Sequence, residues 1–173
     1  ENRNNLITEL GVSKEISDAE LTLTLYKKEK QNCLQKIIGC FSFIIYDIKR
    51  KKIFIGKDHL GIIPLYYVLN ENFFMYGTEP KLIFLTNLIN KEINKNRVKN
   101  FIIKSQEYYD ECFFSGMHRP LAAHYTYIQG SEIKEKRYFK FTAKINNKAF
   151  LKDEWIHDFR TQLAEVIDQM VFG

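Results

Sequence analysis

Most of the features that would name a function at sight are missing from this sequence. Its 173 residues hold only 3 cysteines, 3 prolines and 1 tryptophan. Cys33, Cys40 and Cys112 form no CxxC pair, and an odd number without close partners fits free thiols in a reducing, cytoplasmic setting. No apolar run approaches about 18 residues, so no membrane-spanning helix and no membrane partner are expected. The chain opens ENRNNL, which is polar and lacks the apolar core of a signal peptide. Without an initiator Met, Glu1 is expected to be an internal start. There is no GxGxxG, no GxxxxGK[ST] and no GxSxG, which leaves out the common phosphate loops and the nucleophile elbow. Cys112, His118 and His124 stand six apart, a spacing that suits neither zinc nor a Cys/His protease. No metal site is expected. His59 falls in a turn and is expected to be exposed, and His157 on a polar helix face.

What is present is charge and apolar bulk. The net charge is +5, with hydrophobic residues at 45% and aromatics at 14%, enough for a packed core. The length suits one domain, or one domain and part of a second. The lysines are scattered, and the densest run, Lys49 to Lys52, falls at a turn. No RNA-binding aromatic signature or helix-turn-helix pattern accompanies them, so they read as a solvated surface and no nucleic acid is expected.

The pattern along the chain is mixed. Leu6, Ile7 and Leu10 predict a helix over 3–10, closed by Gly11. Ser17-Asp18-Ala19-Glu20 is a capping box, with Ser17 as N-cap and Glu20 at N3 of a helix reaching about Lys30. Asp18, at N1, would meet the positive end of the helix dipole, worth a few tenths up to ~1 kcal/mol. A helical turn over 33–38 ends at Gly39. Residues 40–48 predict a strand buried on both faces, with Cys40 as a small core residue. Residues 52–57, 64–69 and 73–77 predict three more strands, the four forming an antiparallel meander. Asp58 and Gly61 mark one of its turns. Thr78 is expected to cap a helix over 79–85, and Asn96 another over 97–104. Residues 105–120 read as irregular. Residues 125–128 and 133–141 form a hairpin across Gln129-Gly130-Ser131. From Phe150 and Leu151 through Trp155, Phe159, Leu163, Val166, Ile167 and Met170 runs one apolar helical face, which calls for a partner downstream or in another layer.

Several strings resemble a known family. They are Ser17-Asp18-Ala19-Glu20, then Leu34 with Gly39-Cys40-Phe41-Ser42-Phe43, then Tyr46-Asp47. Next come Gly56-Lys57-Asp58-His59-Leu60-Gly61, followed by Pro64-Leu65-Tyr66-Tyr67, and last Thr78-Glu79-Pro80-Lys81. In this order and spacing they resemble the second half of the glutaminase domain of glutamine-hydrolysing asparagine synthetases. The likeness is specific to about residue 85. It continues more loosely through Phe113-Phe114, Gly116, Arg119 to His124 and Arg137-Tyr138.

The resemblance implies an α+β, N-terminal-nucleophile αββα sandwich over 1–90 and an inter-domain segment with the hairpin over 91–145. Residues 146–173 would begin an ATP-pyrophosphatase-type synthetase domain. In such a parent protein a processed N-terminal cysteine attacks the side-chain amide of glutamine. An Asn-Gly pair supplies the oxyanion hole, and ammonia amidates aspartate after ATP and Mg2+ make an acyl-adenylate. None of Cys33, Cys40 and Cys112 falls at the nucleophile's position. No catalytic residue is therefore assigned to this chain, which is expected to bind no ATP or Mg2+ and to be inactive alone. Asp18 falls where the family places the aspartate that holds the α-ammonium of glutamine, a role compatible with its place at the helix start. Gly39, Gly56, Asp58, Gly61, Pro64 and Glu79 read as architectural. Arg119-Pro120-Leu121-Ala122-Ala123-His124 stands where R-L-P-P-G-H is usual. An Ala before the His is more common in asparagine-synthetase-like lasso-peptide macrocyclases, whose glutaminase-like domain can be silent and whose substrate is a peptide. A macrocyclase relative, and a non-catalytic binding or structural module of the same fold, are the two alternatives. A homodimer is one assembly the resemblance allows.

Overall fold

A computed structural model of the chain describes residues 2–104, 112–142 and 152–172. The chain divides into two compact units, residues 1–39 with 140–173 and residues 40–139.

In the first unit, helix α1 (Arg3–Leu10) packs on α2 (Asp18–Glu29), and α2 on the short α3 (Cys33–Lys36). Leu6, Ile7, Leu21, Leu25, Cys33 and Leu34 are buried, each contributing about 1.5–3 kcal/mol for a large aliphatic side chain. Gly11 closes α1 at φ +63°, a conformation that costs glycine nothing. Asn2 ties the start of α1 to the end of α3: its Nδ2 donates to Lys36 O at 2.7 Å, and its Oδ1 accepts from Ile38 N at 3.0 Å. Lys36 in turn pairs with Glu9 and with Glu29. Helix α6 (Lys152–Phe172) follows the sequence pattern, and its apolar residues Trp155, Phe159, Leu163, Val166, Ile167 and Met170 are exposed. Phe150 and Leu151 lie outside the described residues.

The second unit holds two antiparallel sheets. Strands β1 (Ser42–Asp47), β2 (Lys52–Lys57), β5 (His124–Gln129) and β6 (Glu132–Arg137) form one, in the order β1-β2-β5-β6. Strands β3 (Tyr66–Leu69) and β4 (Phe74–Gly77) form the other. The expected meander is therefore corrected. The chain changes sheet between β2 and β3, and the second partner of β2 comes from a hairpin about seventy residues downstream, with Gly56 opposite Tyr125. Local pattern carries no record of a pairing that distant. The hairpin, expected within a segment linking two domains, supplies half of this sheet. β1 is also corrected: it is an edge strand, half-buried along most of its length, with Tyr46 exposed. Cys40, just before it, is exposed as well. The opposite edge, β6, is exposed throughout and carries Glu132, Lys134, Glu135, Lys136 and Arg137, charges that discourage further pairing.

The sheets meet face to face. Ile55 and Ile128 of the first pack with Tyr67 of the second and with Leu65 just before it, with Ile44, Ile53, Leu69 and Phe74 around them. The far side of β3–β4 is covered by α4 (Pro80–Phe84) and residues 112–117, through Val68, Ile83, Phe84, Cys112 and Met117. Two caps differ from expectation. Glu79, not Thr78, is the N-cap of α4, and it acts through its carbonyl, which accepts from Leu82 N at 3.1 Å. Helix α5 (Lys95–Lys104) begins two residues early because Asn94, not Asn96, accepts from Arg97 N at 3.0 Å. Of the stretch expected to be irregular, 105–111 lies outside the described residues, and the rest carries bridges at Phe114 and His118.

Ala123, just before β5, is buried at φ +58°. This left-handed conformation strains a residue with a Cβ by roughly 1–2 kcal/mol. It is also the position where the resembling family carries Gly. Ala123→Gly should therefore raise stability by about 0.5–1 kcal/mol after the entropy of the freer unfolded chain is subtracted. Urea unfolding measures this, and a loss of stability would show the position unstrained.

Candidate functional site

The residues singled out from sequence fall in both units. Asp18 and Gly39 are in the first, while Gly56, Asp58, Gly61, Pro64 and Glu79 are in the second.

Asp18 is the first residue of α2. The capping box before it is complete: Ser17 Oγ accepts from Glu20 N at 3.2 Å, and Glu20 Oε2 accepts from Ser17 N at 3.2 Å. The Ser17 hydroxyl, which also donates to Glu20 Oε2 at 2.8 Å, and after it the Ser17 N–H hold the Glu20 carboxyl below the usual range. Leu21 and Leu25, three and seven residues further along the helix, are buried, but Asp18 stands at its very end and its side chain is 86% exposed. It has one partner among the described residues: Arg3 Nε donates to Asp18 Oδ1 at 2.9 Å. Nothing in the sequence pattern paired Arg3, one charge on a short polar helix, with Asp18.

The motif residues form a buried hub. Asp58 is 2% exposed. Its Oδ1 accepts from Leu60 N at 3.0 Å and Ile62 N at 3.1 Å, and its Oδ2 from Ile63 N at 3.4 Å. Its own N–H donates to Phe41 O at 2.9 Å, and its carbonyl accepts from Ala123 N at 2.8 Å. One residue thus joins the segments that lead into β1, β3 and β5. Gly61 takes φ +71°, and a Cβ there would meet the Ala122 Cβ at 3.0 Å, so both conformation and space require glycine. Lys57 is also buried. Burial pulls its ammonium below the ordinary lysine value, and the neighbouring Asp58 charge opposes this. The ammonium donates to Ile63 O. The Lys57 carbonyl accepts from the Tyr138 hydroxyl at 2.7 Å, a tie across 81 positions. His59 is not exposed as expected: its ring stands edge-on to Phe139 at 4.4 Å and to Tyr138 at 5.3 Å. Glu79, outside the hub, pairs with Lys81 at 2.6 Å. In the sequence Lys57 and Tyr138 are only parts of motifs, and their joint role is visible only once the chain is folded.

Nothing in this hub is arranged to react. Its polar atoms point at one another, which fits scaffolding. Burial pushes the Cys33 thiol up to about 12 and raises that of Cys112, so neither is a ready nucleophile. His118 stacks on Tyr67 at 5.1 Å, and His124 Nδ1 lies 2.7 Å from Ala122 O. Among the described residues no group of His, Cys, Asp and Glu could hold a metal ion. No described helix is long and apolar enough to cross a membrane.

Comparison with known proteins agrees with the motifs. A family model described as a glutamine amidotransferase domain matches residues 1–139. The chain belongs to the glutamine amidotransferase domain family. Its relatives tie that domain to the asparagine synthetase type. Over 93 residues it is 38% identical to a putative glutamine-hydrolysing asparagine synthetase 2 of Methanocaldococcus jannaschii, covering 54% of this chain and 17% of the relative. It is 42% identical over 60 residues to asparagine synthetase B of Escherichia coli, covering 35% of this chain and 11% of that protein. It is 27% identical over 156 residues to the amidase chyE of Penicillium rubens, covering 87% of this chain and 22% of the amidase. The chain thus spans 11–22% of the length of these three relatives.

Asp58→Ala leaves part-buried N–H groups of the 60–63 turn without their carboxyl acceptor and should cost about 1–3 kcal/mol. Asp58→Asn, which keeps one oxygen, should cost less. Urea unfolding of the two variants checks the order, and equal costs would show that the carboxyl oxygens are not what holds the turn. His118 gives a pH dependence. Burial lowers its imidazolium below the ordinary value of about 6.5. Between the lowered value and the ordinary one the unfolded chain binds more protons, so stability should rise as pH increases through that window. His118→Gln should flatten this part of the pH–stability curve, and an unchanged curve would assign it to other groups.

Proposed function

We propose that this chain is part of the glutaminase half of an ATP-dependent amidotransferase of asparagine-synthetase type, and that Asp18 holds the α-ammonium of glutamine. The observation that carries this reading is the Asp18 carboxylate itself. It stands on the first residue of α2, exposed to solvent, at the motif position the resemblance assigns to ammonium binding. The positive end of a helix dipole favours a negative group at the helix N-terminus. An ionised carboxylate makes a strong, directional hydrogen bond with an ammonium group. Fixing that end of glutamine limits where its side-chain amide can lie, which is how a binding group helps a nucleophile it never touches.

The finer layout belongs to the same proposal. It comprises an αββα sandwich in which the β5–β6 hairpin, expected in a linking segment over 91–145, completes a sheet begun within 1–90, and the start of a synthetase domain from 146. The two packed sheets and α4 on the outer face of one support the sandwich. In the parent protein the nucleophilic cysteine, the Asn-Gly oxyanion hole and the ATP chemistry that converts aspartate to asparagine are assigned to residues outside this chain. Three free cysteines support a cytoplasmic setting. One observation favours a second reading, a macrocyclase with a silent glutaminase domain: Ala123 sits at φ +58° where a glutaminase of this family carries Gly.

In the full-length protein, Asp18→Asn should raise the KM for glutamine by roughly tenfold or more while leaving ammonia-dependent synthesis almost unchanged. Steady-state assays with the two nitrogen donors measure both. Equal loss with both donors would reduce Asp18 to a folding role. Wild-type protein that releases no ammonia from glutamine would favour the macrocyclase.

A further inference from the structure

We propose that Arg3 is a positioning residue for Asp18: its guanidinium fixes the carboxylate in the orientation that presents Oδ2 to an α-ammonium group. This rests on the reading of Asp18 given above. Arg3 is the first residue of α1, as Asp18 is of α2. Arg3 Nε donates to Asp18 Oδ1 at 2.9 Å. Nη1 and Nη2 each donate to Lys14 O at 3.3 Å, and Nη2 also donates to Ile16 O. The planar fork therefore grips the carboxylate and the two carbonyls of the turn that leads into α2 at once.

Geometry gives this clamp its purpose. An aspartate at N1 with its side chain 86% exposed has no packing to select one rotamer. Ser17 and Glu20 satisfy the neighbouring backbone, so the capping box does not draw Asp18 in. Among the described residues only Arg3 restrains it, and it occupies Oδ1 alone. Oδ2 makes no hydrogen bond among the described residues, which leaves an acceptor for an incoming cation. As a contribution to stability, an ion pair this exposed counts for little. As an orienting device it acts through direction, which a planar guanidinium supplies and a lysine ammonium does not. Repulsion between Arg3 and the ligand's ammonium works in the opposite sense, but both groups reach solvent and are screened there. The ordered carboxylate is therefore the larger effect.

Glutamine-dependent ammonia release and ammonia-dependent synthesis by the full-length protein test this, in wild type, Arg3→Ala, Arg3→Gln, Arg3→Lys and Asp18→Asn. Arg3→Ala and Arg3→Gln should raise the KM for glutamine several-fold, to roughly tenfold, with kcat and ammonia-dependent synthesis unchanged. Arg3→Lys should fall between them and wild type. Combining Arg3→Ala with Asp18→Asn should add nothing to Asp18→Asn alone. Thermal melts show whether Arg3→Ala is folded, and Arg3→Gln carries the test if it is not. If Asp18→Asn raises KM while both Arg3 variants leave it unchanged or lower it, this proposal falls and the reading of Asp18 stands. If Asp18→Asn leaves KM unchanged, the reading of Asp18 falls and takes this proposal with it.

Discussion

The carboxyl of Asp58 is the constraint on which the second unit depends. A buried carboxyl is costly unless its oxygens are engaged, and here they are engaged by N–H groups of the turn that follows. That turn cannot close into a hairpin, because its backbone bends around the side chain instead of pairing across to β2. The chain therefore leaves one sheet and enters the other, and the two sheets come to lie face to face. The same residue's backbone reaches Phe41 and Ala123, so the entry points of β1 and β5 are set by the same short segment. Gly61 is required where the turn passes Ala122, and the strained Ala123 is held where its N–H meets the Asp58 carbonyl. Lys57 and Tyr138 close the hub from the other side.

Local elements were legible in the sequence because their causes are local. The capping box at Ser17, the closure of α1 at Gly11, the β5–β6 hairpin and the apolar stripe of α6 each follow from residues within a few positions of one another. The sheet order was not legible. An apolar strand such as β1 reads the same in the middle of a sheet or at its edge, and the pairing of β2 with β5 spans about seventy residues. Asp58 was read as a turn former, which is true but small. That it gathers the turn around one carboxyl is a property of the folded loop. The misplaced caps, Thr78 for Glu79 and Asn96 for Asn94, show that several polar residues near a helix start compete, and the backbone path decides among them.

The candidate site divides in the same way. The residues that identify the family, from Gly56 to Pro64, are scaffold: buried, mutually satisfied and chemically quiet. The residue assigned to ligand contact, Asp18, sits in the other unit on an exposed helix start, where composition and spacing alone give it nothing beyond a helix-dipole role. Its pairing with Arg3 was invisible in the sequence, since nothing in a pattern links the first turn of one helix to the first residue of the next. Family membership thus rests on the scaffold, while the proposed ligand contact rests on the exposed Asp18 and the half-buried Arg3 beside it.

That pairing of a quiet scaffold with one ligand-facing carboxylate is tested most directly by a crystal structure of the full-length protein with glutamine bound. The account predicts the α-ammonium nitrogen within about 2.7–2.9 Å of Asp18 Oδ2, with Arg3 still on Oδ1. Glutamine bound with its ammonium held by other groups, and Asp18 turned to solvent, would contradict it.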